Sequence, residues 1–199
     1  MTNKQTREQW LEQATSLLNE QVFKPVGLQV PHDVKISCGW PVSGGASAKQ
    51  ATIGQCFARS ASKAGINEIF ISPKLAQADR VLDVLAHELI HAIDDCKNGH
   101  KAPFRKMALA IGLEGKMTAT TASEQLKERL HALCATLGDY PHSEIDYSNV
   151  KKQNTRMKKV HCTNCDFAFR ANKSQIEKID FEKGCISHGC DGSLTIESD

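Results

Sequence analysis

Five consecutive residues, His87-Glu88-Leu89-Ile90-His91, carry the strongest chemical signal in the chain. On an α-helix, positions four apart differ by about 40° and one turn of rise, so both imidazoles can reach a single zinc ion from one face. Glu88, one residue on, leans over the open side of that metal. There it can take the proton of an attacking water and later deliver it to a leaving amine. A chain of this composition contains about 0.02 such patterns by chance, which weighs against two unrelated solvent-facing histidines. A catalytic zinc needs a third protein ligand and an open position. His100, just past Asn98-Gly99, leads, and Glu114 would make a glutamate-type site instead. Asp95, and Asp83 one turn before His87, are candidates to support an imidazole from behind, with a solvated carboxylate as the plainer reading. His32, His131 and His142 lack ligand spacing and read as surface residues.

The eight cysteines form two groups. Cys162, Cys165, Cys185 and Cys190 make C-x2-C, nineteen residues, then C-x4-C. Two tight turns facing each other can close four thiolates around a second, structural zinc at about 2.3 Å. His188, at C-x2-H from Cys185, is the alternative to Cys190 as the fourth ligand. Alternation in 166–170 and 193–197 predicts short strands, and the segment has too little apolar content to fold without a metal. A zinc ribbon follows. Cys38, Cys56, Cys96 and Cys134 are isolated and read as small buried or half-buried side chains.

Periodicity assigns the elements that must position these groups. Trp10, Ala14, Leu17 and Leu18 predict a helix over 6–22, with strands expected at 34–38, 51–58 and 68–72. An i, i+3, i+4 stripe at 82, 85, 89 and 93 predicts a helix over 79–97, capped by Asn98-Gly99, with the H-E-x-x-H pattern inside it. Two more helices follow, 103–111 stopped by Gly112 and 123–137 opened by a Thr121/Glu124 capping box. The fold class is therefore α+β: a small antiparallel-type sheet packed with helices, plus the C-terminal ribbon. The boundaries run 1–145 for the first domain, 146–160 for a linker and 161–199 for the ribbon.

With 40% hydrophobic and 24% charged residues, the composition is that of an ordinary globular protein, and no apolar run approaches a membrane span. Residues 1–22 are too polar for a signal peptide, so a cytoplasmic location is expected. The net charge of +2 hides a local excess: 151–160 holds Lys151, Lys152, Arg156, Lys158 and Lys159 with no acid. Such a run is a solvated linker or a set of phosphate contacts that Arg170 and Lys173 would extend. Phe167 or Phe169 could stack on a base, although a core role is the more ordinary one.

The ligand spacing is not that of metzincins. His87-Glu88-Leu89-Ile90-His91, then Gly99-His100, then Phe104, with a ribbon behind, resembles the SprT-like (Spartan) metallopeptidase family. The resemblance implies ligation of one zinc by His87, His91 and His100, with Glu88 as general base. It also implies protein bound or crosslinked to DNA as the substrate, hence a role in DNA–protein crosslink repair, with DNA as a partner. Two other readings stand beside it: a non-enzymatic, transcription-associated DNA-binding module centred on the ribbon, and a metallohydrolase of another substrate. Tyr140, Tyr147 and His142 are candidates to stabilise an oxyanion only by their place after the helices.

Overall fold

The structure, a computed structural model, describes residues 5–42, 52–146 and 157–197. These divide into two compact units, one within 1–148 and one within 149–199. No described helix is long and apolar enough to cross a membrane.

The first unit opens with α1 (Arg7–Leu18). Thr6 Oγ1 accepts from Gln9 N while the Gln9 side chain accepts from Thr6 N, a reciprocal cap that satisfies two otherwise unpaired donors. One π-helical stretch, Asn19–Phe23, and one short 3-10 turn carry the chain to Gly27. Trp10, Leu11, Ala14, Leu18, Val22 and Phe23 are fully buried. The Trp10 indole donates to the Gly138 carbonyl at 3.2 Å, so burial leaves its N–H satisfied.

Three strands, β1 (Lys35–Cys38), β2 (Gly54–Phe57) and β3 (Glu68–Ile71), form a sheet in the order β1-β3-β2. β2 pairs antiparallel with β3, Gly54 opposite Ile71, whereas β1 runs parallel to β3, Lys35 opposite Glu68. The sheet is thus mixed and not of purely antiparallel type. β3 inserts between two strands that precede it, a non-local pairing to which the alternation of each strand is blind.

Against this sheet lies α2 (Ala78–Ile93), whose Leu82, Leu85, Ala86, Leu89 and Ile90 are fully buried. It stops a full turn short of Asn98-Gly99. Cys96 N donates to His91 O at 2.8 Å across a left-handed Asp95 (φ 54), the backbone closure of a Schellman motif with aspartate where glycine is usual. The next helix, α3 (Ala102–Ile111), takes Pro103 in its first turn and ends at left-handed Gly112. A hairpin of β4 (Leu113–Lys116) and β5 (Ala119–Ala122) follows, an element with no strong sequence signal. Thr121 lies on β5, so the expected capping box does not form. Ser123 caps α4 (Glu124–Leu137) by accepting from Leu126 N.

The second unit is a three-stranded antiparallel sheet ordered β7-β6-β8, from β6 (Lys158–Cys162), β7 (Ala168–Ala171) and β8 (Leu194–Ile196). One short helix, α5 (Lys173–Ile176), follows β7. Among the described residues, Val160, Cys162, Ala171 and Leu194 are the unit's buried apolar side chains, and Phe167, Phe169 and Ile176 pack half-buried against this centre. Both phenylalanines therefore belong to the small core. An apolar centre this slight is the expected condition of a unit that needs a metal staple.

Candidate metal centre

Helical rotation brings His87 and His91 to one face of α2, and the turn after α2 returns His100 to the same place. The Nε2 atoms of His87 and His91 each lie 3.2 Å from His100 Nε2. Phe104 of α3, fully buried, underlies all three rings: it stacks on His91 at 4.5 Å between centroids and lies 4.9 Å from His87. Behind His87, Nδ1 meets Thr120 Oγ1 at 2.8 Å, which fixes the ring and leaves Nε2 facing its two neighbours. Thr120 stands on the β4–β5 hairpin, 33 residues from His87, a separation at which the sequence gives no sign of it, whereas the carboxylates near the helix suggest an orienting partner.

Those carboxylates have other work. Asp83 pairs with Arg80. Asp95 Oδ1 accepts from Arg59 N at 2.8 Å and Asn67 Nδ2 at 3.1 Å, tying the turn after α2 to the end of β2. Neither supports an imidazole. Glu114 lies on β4 and does not join the histidine cluster.

The electrostatics suit a cation. Burial, with the neighbouring imidazoles, drives His87 down to about 3 and His91 down to about 4, and burial lowers His100 as well. All three are therefore neutral near pH 7 with lone pairs available, the state a metal requires. Glu88 is buried beside them, and loss of water pushes its carboxyl up to about 8. It fits there because β2 offers Gly54. A methyl group at that position would sit 2.5 Å from Glu88 Oε1 and 2.7 Å from Val84 Cγ1.

The histidines and Glu88 line an open cleft of about 890 Å³. One wall is Thr52–Cys56, the other the hairpin residues Thr118–Thr121. Tyr140 and His142 do not line it. The Tyr140 ring packs against Trp10 at 5.0 Å in the core, and His142 donates to Pro73 O. Tyr147 lies outside the described residues.

One comparison decides the family. The family model for the SprT-like family matches residues 11–124, more than half the chain, including His87, Glu88, His91, His100 and Phe104. The chain belongs to the SprT-like family. Nothing matches it among curated proteins or among solved structures. The SprT-like family is associated with zinc metallopeptidases, and the three neutral imidazoles fit that metal.

The ribbon lies beyond the region matched to the SprT-like family. Its four sulfurs cluster, with Cys162 Sγ 3.6 Å from Cys190 Sγ and Cys165 Sγ 3.7 Å from Cys185 Sγ. Within each turn a backbone N–H two residues on donates to sulfur: Asn164 N to Cys162, Ser187 N to Cys185, Gly192 N to Cys190. The Asn164 amide chiefly lowers Cys162 to about 7, whereas at Cys185 and Cys190 the amide donors are outweighed by burial and the neighbouring thiols, which raise both, so one sulfur of the cluster is the readiest to ionise. Cys190, and not His188, completes the set, since His188 is exposed and outside the cluster. Four thiolates also fit zinc. Of the five basic residues before the ribbon, Lys151, Lys152 and Arg156 lie outside the described residues, while Lys158 and Lys159 are on β6.

Proposed function

We propose that this protein is a zinc-dependent endopeptidase, with one zinc held by His87, His91 and His100 and a second, structural zinc held by Cys162, Cys165, Cys185 and Cys190. The observation that carries the reading is three neutral imidazoles converging beside a buried Glu88 in an open cleft. Zinc in the histidine site supplies a Lewis acid that polarises a peptide carbonyl and makes water more acidic. Beside a bound cation, Glu88 would return toward the carboxylate form. Glu88 then takes the proton of the attacking water and passes it to the departing amide nitrogen. An extended polypeptide would fit along β2, which among the described residues pairs with β3 alone, and this favours peptide over a compact substrate.

Glu88→Gln keeps shape and removes the base. Hydrolysis of an unfolded protein substrate is expected to fall by about 10²–10⁴-fold. Zinc content stays unchanged, because Glu88 is not a ligand. Full activity, or loss of zinc from the histidine site, refutes the assignment.

The same reading extends to DNA-bound or DNA-crosslinked protein as substrate, with an intracellular, DNA-associated site of action. Lys159 on β6 and Arg170 on β7 are register partners, so their side chains share one face. Lys159 also pairs with Glu197 at 3.7 Å, and a phosphate on this face would give both cations a further partner. Changing both to Gln is expected to reduce the slope of log affinity for DNA against log salt by about 1–2. An unchanged slope removes this face from the contact.

A further inference from the structure

Two of the four cysteines outside the ribbon, unrelated in sequence, meet in the cleft. Cys56 lies on β2 and Cys96 in the turn after α2, 40 residues later. The Cys96 sulfur lies 3.6 Å from the Cys56 carbonyl oxygen, and the Cys56 sulfur lies 3.8 Å from the next carbonyl along β2, that of Phe57. Asp95 holds the turn against β2 through Arg59 N and Asn67 Nδ2, and the same Asn67 amide donates to Phe57 O at 3.1 Å. Asp95 and Cys96 both adopt left-handed backbone, φ 54 and 57, which costs about 1–2 kcal/mol for each non-glycine residue. The fold thus maintains a strained turn that carries the Cys96 thiol to Cys56. Both cysteines are half-buried and line the open cleft, whereas Cys38 and Cys134 do not. Neither sulfur has a part in hydrolysis as derived above.

We propose that Cys56 and Cys96 form an oxidisable dithiol that closes to a disulfide on reaction with a hydroperoxide. The Cys96 sulfur attacks one peroxide oxygen, the O–O bond breaks, and water leaves with the Cys96 proton, giving a sulfenic acid. The Cys56 sulfur then attacks the sulfenic sulfur. The S–S bond forms, the S–O bond breaks, and the Cys56 proton departs with the hydroxyl as a second water. Two thiols are oxidised by two electrons and one hydrogen peroxide is reduced to two waters.

The test uses the full-length, zinc-loaded protein treated with stoichiometric hydrogen peroxide, alkylated, and mapped by mass spectrometry without reduction. The expected product is a Cys56–Cys96 linked peptide, lighter by two hydrogens and separated again by dithiothreitol. Cys56→Ser is expected to leave Cys96 as a sulfenic acid that dimedone traps. The wild-type map decides whether or not that variant folds. Oxidation of either cysteine without a link between them, linkage to Cys38 or Cys134 instead, or no oxidation of the pair overturns the proposal.

Discussion

Gly54→Ala tests whether β2 was shaped to admit Glu88. The added carbon would lie 2.5 Å from Glu88 Oε1, 2.9 Å from Glu88 Cγ and 2.7 Å from Val84 Cγ1. Ordinary contact begins near 3.4 Å, so Glu88 must retreat by about an ångström or β2 must move outward by as much. Misplacing a reacting group by that distance costs about 10²-fold in rate, equivalent to about 2.7 kcal/mol of barrier. Overfilling a packed site costs about 1–3 kcal/mol of stability as well. None of the three contacts is a histidine, so zinc should stay. The assay is therefore threefold: kcat/KM on an unfolded protein substrate, zinc content, and thermal melting. Activity near 1% of wild type with full zinc and a lowered Tm is expected. Unchanged activity refutes the reasoning that Glu88 works from this position, and loss of zinc refutes the claim that β2 acts on the base alone.

Thr120→Val removes the oxygen behind His87 Nδ1 while keeping the side chain's shape. Zinc affinity at the histidine site should fall by about 10–100-fold in a competition titration, with the cysteine site unaffected. In protein stripped of zinc, His87 and His91 have folded pKa values depressed to about 3 and about 4 from 6.5. The unfolded chain then binds more protons than the folded one between those values, so their contribution to stability is complete above pH 6.5 and is lost as pH falls. Glu88, raised from 4.5 to about 8, has the opposite sign: its contribution is present below pH 4.5 and is lost as pH rises toward 8. Urea titrations across pH are expected to show the loss below pH 6.5 in both wild type and Glu88→Gln, and the decline between pH 4.5 and about 8 only in wild type. Identical profiles contradict the assignment.

The sequence carried α2 and its chemistry together, because one periodic stripe both buries Leu82, Leu85 and Leu89 and leaves His87 and His91 facing the cleft. The ribbon cysteines were equally legible, since a metal fixes its ligand spacing locally. What lay hidden depends on distant segments. β1 finds its parallel partner 33 residues further along the chain, and Thr120 reaches His87 from a hairpin whose Leu113–Lys116 strand holds a glycine and two charged residues. Gly54 looks like any strand glycine until Glu88 is seen against it. α2 ends earlier than its periodicity predicts because Asp95 takes the left-handed position that a glycine would have announced, an arrangement held by Arg59 and Asn67.

Zinc-edge X-ray absorption, with metal counted per chain, tests the central claim most directly. Two zincs are expected: one closed by four sulfurs at about 2.3 Å, the other bound by three imidazole nitrogens at about 2.0–2.1 Å with one exchangeable oxygen. His100→Ala should abolish only the nitrogen-bound zinc. A single, all-sulfur zinc per chain, or a nitrogen-bound zinc unchanged in His100→Ala, contradicts the account.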